Sequence, residues 1–232
     1  MRISVVTLFP EMLECIKSFG VTGRAIEAGV VFLEGINPRN FTADRHGTVD
    51  DRPYGGGPGM VMKPEPLQRA ISECKRKVGG DPRVILLSPQ GSPLNHEKVI
   101  DLSKQRELVL LAGRYEGIDE RLINEEVDEE LSIGDFVLSG GELAAMVIID
   151  VIMRQIPGVL GDPHSASQDS FAKDLLEGPH YTRPEVFCGH RVPETLLSGN
   201  HEKIRRWRLK QSLARTMERR PDLLKKRELS DE

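Results

Sequence analysis

Four arginines fall on one side of a segment with helical periodicity near the end of the chain. At about 100° per residue, Arg205, Arg208, Arg215 and Arg219 lie within an arc of about 80°. Like charges this close repel one another unless an anion neutralises them, and arginine guanidinium groups suit phosphate oxygens. The alternative is a solvated face of a packed helix. We favour nucleic-acid phosphates as the anion.

A second candidate for chemistry is a set of three glycine-containing turns at residues 89–91, 113–117 and 133–135. Two of them follow predicted strands directly, and the third ends the predicted segment 127–131. In parallel sheets ligands bind beyond the carboxyl ends of the strands, where glycine lets the backbone approach closely. The pattern therefore predicts one pocket built from main-chain groups, although three ordinary tight turns would give the same sequence.

The glycine-rich segment 50–60 is predicted to be a loop, because its glycines and prolines suit neither a helix nor a strand. It does not have the spacing of a dinucleotide-binding fingerprint, and the chain has no Walker A, His-Glu-x-x-His or Gly-x-Ser-x-Gly motif. The spacings of Cys188 with His180, His190 and His201 match no zinc template, so packing and surface roles are favoured there. The common signatures of P-loop nucleoside triphosphatases, Rossmann dehydrogenases, zinc proteases and serine hydrolases are thus missing.

The elements that must position these groups alternate along residues 1–155. Strands are predicted at 2–8, 30–36, 83–88 and 108–112, and helices at 10–20, 64–77 and 95–105. This alternation is typical of an α/β domain with a mainly parallel sheet.

The helix predicted after Leu138 has the clearest local signal. Its start, 139–142, reads Ser-Gly-Gly-Glu and predicts a capping box in which the serine and the glutamate satisfy free amide groups. From Leu143 to Met153 ten of eleven residues are apolar, so the helix is apolar on all sides. Since it is too short to span a membrane, it is expected in the core or in a subunit interface.

The length and the charge distribution of the chain indicate how many domains it has and what kind of partner it binds. Its 232 residues suit one large domain or two small ones, and the polar stretch 161–172 is predicted to be a linker. The net charge is −4, yet residues 203–227 hold eleven basic and two acidic side chains. Three widely spaced cysteines and the lack of a signal peptide favour a reducing cytoplasm. The acidic body and basic end again indicate a nucleic-acid partner.

Five motifs then resemble one known family, in order over nearly the whole chain. They lie at residues 50–60, 87–91, 113–121, 132–142 and 181–184. They are similar to the bacterial tRNA (guanine-N1)-methyltransferases, the TrmD family of the SPOUT class, which methylate the guanine immediately 3′ of the anticodon, position 37 of tRNA. Phe136 stands where the family often has tyrosine and Ala112 where cysteine is common, and neither change removes a group that the chemistry needs. The tail after Pro221 carries no matching motif.

The resemblance implies a fold and an arrangement of domains. The expected fold is α/β, with a SPOUT-type trefoil-knotted parallel-sheet domain at 1–160 that binds S-adenosylmethionine. The linker at 161–172 carries the catalytic aspartate, and a small helical tRNA-binding domain follows at 173–232. The family works as a homodimer with shared active sites, which agrees with the all-round apolar helix. No membrane or DNA partner is implied.

The resemblance also implies the residues of the binding sites. The expected cofactor contacts are Leu87, Ser88, Pro89, Gly91, Gly113, Arg114, Tyr115, Glu116, Gly117, Ser132, Ile133, Gly134, Asp135, Phe136, Val137, Leu138, Gly140 and Gly141. The expected RNA contacts are Gly55, Gly56, Gly57, Gly59 and Arg183, together with the four arginines of the helical face. Related enzymes need Mg²⁺ for turnover, and Glu116 is a candidate for holding the cofactor or this ion, but no metal site is assigned.

Two residues are implied to carry the reaction. Guanine N1 bears a proton, so a base must remove it as the methyl group arrives, and the family motif places that base at Asp169. Negative charge then spreads onto guanine O6, and Arg154 is the family's candidate to stabilise it. From the residues alone, Asp169 is a plain linker carboxylate, and Arg154 pairs with Asp150 or interacts with the end of its helix. A SPOUT-class enzyme acting on another RNA or on a ribose hydroxyl, a non-catalytic RNA-binding protein and a purely structural dimer are the rival interpretations.

Overall fold

The computed structural model describes residues 1–162 and 165–225 of the chain. These residues form parts of two compact units, Met1–Gly161 and Asp162–Glu232. Residues 226–232, which include the end of the basic stretch 203–227, lie outside the described residues, as do residues 163–164 of the predicted linker.

The first unit is built on a parallel sheet. Its strands are β1 (Arg2–Val6), β2 (Phe32–Ile36), β3 (Asp50–Asp51), β4 (Val61–Met62), β5 (Arg83–Pro93), β6 (Glu107–Ala112) and β7 (Glu129–Ser132). Five of them form one sheet in the order β2-β1-β6-β5-β7, with every neighbouring pair parallel. The predicted α/β class is confirmed.

Helices cover both faces of this sheet. They are α1 (Glu14–Ser18), α2 (Gly20–Glu27), α3 (Pro64–Val78), α4 (His96–Ser103), α5 (Glu120–Glu126) and α6 (Glu142–Met153), with 3-10 turns at Pro10–Leu13 and Pro38–Phe41. Side chains along β6 alternate between the two faces: Leu110 packs in the cluster that holds α6, and Leu111 packs in the cluster that holds α3. The central strands are therefore buried on both faces and read as continuous apolar runs.

The single helix predicted from Pro10 to Gly20 is wrong. The chain forms a 3-10 turn, the short helix α1 and then α2, because Phe19 takes an extended conformation between the two helices. Phe19 itself is mostly exposed. The prediction failed because the apolar spacing continued across a residue at which the backbone leaves the helical conformation.

The turn predicted at residues 89–91 does not end its strand. β5 continues to Pro93, and both Leu87 and Ser92 pair with Leu131 of β7. The residues between them loop out of the ladder and return to it. A β carbon at Gly91 would overlap the backbone of Glu130 and Leu131, so glycine is required where the segment crosses its neighbour.

The second unit contains mostly helices and turns in its described part. Its elements are α7 (Ser165–Gln168), β8 (Val186–Phe187), β9 (His190–Arg191), α8 (Glu194–Leu197), α9 (His201–Arg219) and α10 (Pro221–Leu224). The predicted linker thus includes one helical turn, α7. Thr216 of α9 is fully buried, and its hydroxyl accepts a hydrogen bond of 2.9 Å from the amide of Leu176. In the described part of the chain, no helix is long and apolar enough to cross a bilayer.

Candidate active site

A cleft of about 370 Å³ lies at the carboxyl edge of the parallel sheet, where the loops after β6 and β7 meet the looped-out part of β5. The structure brings the three predicted glycine turns together there. Of the predicted cofactor contacts, those that line the cleft are Leu87, Ser88, Pro89, Gly113, Arg114, Tyr115, Glu116, Gly117, Ser132, Ile133, Gly134, Val137, Leu138, Gly140 and Gly141. The cleft can receive a ligand through main-chain groups from three separate loops.

Three of the predicted contacts lie outside the lining of this cleft: Gly91, Asp135 and Phe136. Gly91 packs against the backbone of β7, and Phe136 is more than half exposed. Sequence reasoning also omitted lining residues, among them Gln90 and Ser139. Both stand inside the motifs quoted above, so their position between predicted contacts was a signal that could have found them.

The capping box predicted at Ser139 and Glu142 is wrong. Helix α6 begins at Glu142 with Gly141 as its N-cap, and no side chain caps it. The Glu142 carboxylate is instead fully buried, where it accepts a hydrogen bond of 2.8 Å from the hydroxyl of Thr7. A β carbon at Gly141 would lie 2.7 Å from Cα of Ala112, so the start of this helix must be glycine to pack against the end of β6.

Arg114 is the partner of this buried carboxylate. Its Nε lies 2.9 Å from Oε2 of Glu142 as an ion pair without the alignment of a hydrogen bond. Its Nη1 donates to the carbonyl of Ser139 at 3.1 Å, and its guanidinium carbon lies 4.6 Å from the centre of the Phe9 ring. The guanidinium group therefore ties the loop after β6 to the start of α6 and to the turn after β1. Through these contacts it holds two walls of the cleft together.

The glycine-rich loop lies against the mouth of the cleft. Its base is the short antiparallel ladder of β3 and β4, so the predicted loop is closed by regular structure at both ends. The Glu116 amide donates to the carbonyl of Met60 at 3.0 Å, and the Met62 amide donates to the carbonyl of Gly117 at 2.9 Å. A β carbon at Gly59 would overlap the side chain of Glu116. The glycine at this position allows the loop to approach the predicted cofactor loop closely.

Tyr115 has a left-handed backbone with φ of 60°, which is unusual for a residue with a large side chain. Partial burial of the hydroxyl group, followed by the charge of Asp50, raises the pKa of the phenol above its ordinary value. Gly117, two residues later in the same loop, has φ of 134°. The backbone of residues 115–117 therefore has a conformation that costs free energy. The main-chain hydrogen bonds with Met60 and Met62 stabilise it.

The predicted arginine face lies on helix α9 of the second unit, and the helical periodicity expected there is confirmed. The Asn200 side chain caps this helix by accepting from the Lys203 amide at 3.0 Å. Arg205 is paired with Glu202 at 3.0 Å, so this arginine is already partly neutralised. Hydrogen bonds from Arg205 and Arg206 lower the pKa of Glu202 to about 2. For Arg205, one of the four arginines of this face, the neutralising anion is therefore already supplied by Glu202, which lies one helical turn away.

The two predicted catalytic residues belong to different units. Arg154 is the C-cap of α6, and its amide donates to the carbonyl of Asp150 at 3.1 Å. Asp169 directly follows the helical turn α7 in the second unit, where its carbonyl accepts from the amide of Ala172. Their catalytic roles stay predictions. Among the described residues, no group of three histidines, cysteines or carboxylates is placed to hold a metal ion.

Known proteins are similar to this chain over the region that contains all five motifs. A family model described as tRNA (Guanine-1)-methyltransferase TrmD matches residues 1–226. A tRNA (guanine-N(1)-)-methyltransferase of Marinomonas sp. is 62% identical over 232 residues, which cover 100% of this chain and 92% of the relative. Proteins of the same description from Methylobacillus flagellatus and Aeromonas hydrophila are each 60% identical, covering all of this chain and 89% and 93% of the relatives. With the match spanning the strands, the cleft loops and α9 alike, the chain belongs to the tRNA (guanine-1)-methyltransferase TrmD family.

Proposed function

We propose that this protein transfers a methyl group from S-adenosylmethionine to N1 of the guanosine immediately 3′ of the anticodon in tRNA. The observation that carries the proposal is the cleft in which three strand-end loops with the family's motifs converge. The curated relatives are described as methyltransferases of the same guanine atom over the full length of this chain. Because its substrate is tRNA, we place the protein in the cytoplasm.

The cleft fits the cofactor. Gly140 and Gly141 let the start of α6 pack closely against the loop after β6 in the wall of the cleft, because a β carbon at either position would collide with Arg114 or with Ala112. The lining combines main-chain donors and acceptors with the apolar side chains of Leu87, Ile133 and Leu138, as expected for a site that must hold both an adenine ring and polar groups. When bound, the cofactor supplies an activated methyl group on its sulfonium sulfur.

The chain itself must supply acid–base chemistry. In this proposal Asp169 takes the proton from guanine N1, which frees the nitrogen lone pair to attack the methyl carbon. Arg154 places its positive charge near guanine O6, where negative charge develops as the proton leaves. Glu116 lines the cleft and is the residue we assign to the cofactor or to Mg²⁺, which turnover is proposed to need.

The test is methyl transfer from labelled cofactor to purified tRNA, with mapping of the modified nucleotide. Label at N1 of the guanosine 3′ of the anticodon is the expected result, together with its absence from a transcript that has adenosine at that position. Label elsewhere would indicate a related methyltransferase with another target. Binding of tRNA and cofactor without any transfer would indicate a non-catalytic RNA-binding protein.

The topology is proposed to include the SPOUT knot. The support is the family membership and the path of β5, which loops out between Leu87 and Ser92 next to β7. In the same proposal the residues up to 160 bind the cofactor, those at 161–172 supply the base, and those from 173 onward hold the RNA. The division of the chain into two compact units, with the boundary after Gly161, supports this assignment of roles.

A homodimer with shared active sites completes the proposal. On α6 the buried side chains face the sheet, whereas Leu143 and Val147, one turn apart, are 47% and 44% exposed. Phe136 and Val137, in the loop before this helix, are also exposed. A stripe of apolar side chains open to water beside a ligand cleft is typical of a protein–protein interface.

Replacing both Leu143 and Val147 by glutamate should therefore yield a monomer. Each charge would have to be buried without a partner on both sides of the interface, which costs several kcal/mol. Light scattering after gel filtration should report the mass of one chain, 25.9 kDa, and methyl transfer should be lost. Met217→Glu, at a more exposed apolar position in the second unit, is the control that should leave the mass unchanged. An unchanged mass in the double variant would exclude α6 from the interface.

The arginine face should give the affinity for tRNA its salt dependence. Arg208, Arg215 and Arg219 have no carboxylate partner among the described residues, so their charges are available for phosphates. Replacing these three by glutamine should reduce the slope of log Kd against log salt by about 2 to 3. Arg206→Gln is the matched control, because Arg206 is already paired with Glu202 at 2.9 Å. A slope equal to that of the wild type would refute phosphate binding by this face.

A further inference from the structure

A second cavity, of about 450 Å³, lies wholly within the second unit. The Tyr-Thr-Arg-Pro motif at residues 181–184 forms part of its wall, and Ile204 and Arg208 of α9 form another part. The proposed reaction assigns this cavity no role, although the motif was among the five that the sequence analysis singled out. Its volume falls within the range of ~300–1,000 Å³ typical of small-ligand sites.

One side of this cavity is apolar and aromatic. Tyr181 is 49% exposed, and its ring is tilted by 59° against Trp207, with 6.3 Å between the ring centres. Leu196, Leu197 and Ile204 supply aliphatic surface beside it. A half-exposed aromatic ring that is held from behind by a second ring offers a free face on which a planar group can stack.

The charged groups at the cavity leave a positive balance. Arg183 and Arg208 line it, and neither has a carboxylate partner among the residues that the structure describes. The carboxylate of Glu185, which also lines it, is occupied by Arg191 at 2.6 Å. His180, a further lining residue, lies 3.1 Å from Glu177. Two guanidinium groups are therefore free for an anion at the rim of an apolar cavity.

We propose that this cavity takes one nucleotide of the bound tRNA, distinct from the guanosine that is methylated. The base stacks on Tyr181 against the aliphatic wall, and the phosphate lies between Arg183 and Arg208. Arg208 belongs both to this cavity and to the arginine face of α9, so an RNA backbone that follows the face reaches the cavity directly. This inference rests on the proposed function, because it requires tRNA as the ligand.

The first test compares Tyr181→Ala with Tyr181→Phe in tRNA binding, with the cofactor cleft filled by S-adenosylhomocysteine. Loss of one base–aromatic stack should raise the Kd for tRNA about 5- to 150-fold in Tyr181→Ala. Tyr181→Phe keeps the ring and should bind within about two-fold of the wild type. Thermal unfolding of both variants shows whether the packing against Trp207 is preserved.

Leu197→Trp is the variant that separates binding from folding. Leu197 is 49% exposed, so its replacement fills the cavity without removing a buried side chain. It should raise the Kd for tRNA to a similar extent as Tyr181→Ala. Probing of the complexes with dimethyl sulfate should find one base, besides the target guanosine, whose reactivity changes on binding the wild type and returns to that of free tRNA with either variant.

The outcomes distinguish this inference from the proposed function. Wild-type affinity and an unchanged probing pattern in both Tyr181→Ala and Leu197→Trp would overturn the nucleotide site, even if the protein methylates tRNA normally. A wild-type protein that binds tRNA with the expected extra contact but transfers no methyl group would overturn the proposed function alone. Failure of the wild type to bind tRNA would overturn both.

Discussion

Replacing Asp169 by alanine should lower the turnover number for methyl transfer about 10²- to 10⁴-fold, the range that a positioned general base contributes. The reason is that guanine N1 keeps its proton until a base accepts it, and the lone pair of the N1–H nitrogen is delocalised into the ring carbonyl and is not nucleophilic. The cofactor cleft is lined by residues of the first unit, whereas Asp169 lies in the second. The affinity for S-adenosylmethionine should therefore change little. Single-turnover kinetics on tRNA and calorimetric titration of the cofactor measure the two quantities separately.

Two control variants make this result specific. Asp169→Asn keeps the shape and hydrogen-bonding capacity of the side chain but removes its basicity, so it should be as slow as the alanine variant. Asp174→Asn makes the same change further along the second unit, at a residue whose φ of 54° asparagine tolerates well, and should keep normal turnover. Near-normal turnover in Asp169→Ala would eliminate Asp169 as the base and return it to the role of a linker carboxylate.

Local signals in the sequence predicted most of the first unit. Largely apolar runs marked β1, β6 and the first part of β5, and the Asn95 side chain caps α4 by accepting from the Lys98 amide at 2.9 Å. Such features depend on residues within one or two turns of each other. The errors arose where a distant contact overrides the local preference. At residues 89–91 the turn-forming sequence loops out and the strand resumes, because Ser92 and Pro93 pair again with β7.

In the candidate site, too, local sequence predicted some features and contacts between distant residues determine the others. The glycine turns were predictable because ligand clefts form at the carboxyl ends of parallel strands, and glycine there signals close backbone approach. The partners of Arg114 were not predictable from spacing. Thr7 and Glu142 are separated by 135 residues in the sequence, and only the folded sheet brings them together. A serine three residues before a glutamate gave a capping signal that the buried ion pair overrode.

Breaking the ion pair between Arg114 and Glu142 should have the second large effect, because it lowers both the stability of the protein and the integrity of the cofactor cleft. Glu142→Ala would leave the Arg114 guanidinium beside an apolar hole with its main neutralising partner gone. Breaking a buried pair costs ~3–5 kcal/mol. Since the Arg114 side chain retains 20% of its exposure, we expect the lower end, about 3 kcal/mol. In a chain of this size that lowers the melting temperature by about 6–12 °C.

The same change should weaken cofactor binding. Without the carboxylate, the Arg114 side chain is free to leave Ser139 and Phe9, and the loop after β6 loses its tie to the start of α6. Differential scanning calorimetry and a titration with S-adenosylmethionine test the two effects on one sample.

Two milder variants separate the charge from the packing. Thr7→Val removes one hydrogen bond to the carboxylate but leaves the ion pair, so it should cost only about 1–2 kcal/mol and leave cofactor affinity near normal. Glu142→Gln keeps the volume and the contact with Thr7 but not the charge, and it should fall between Thr7→Val and Glu142→Ala. If Glu142→Ala melts within about 2 °C of the wild type, the pair does not hold the cleft, and Arg114 must be positioned by its contacts with Ser139 and Phe9 alone.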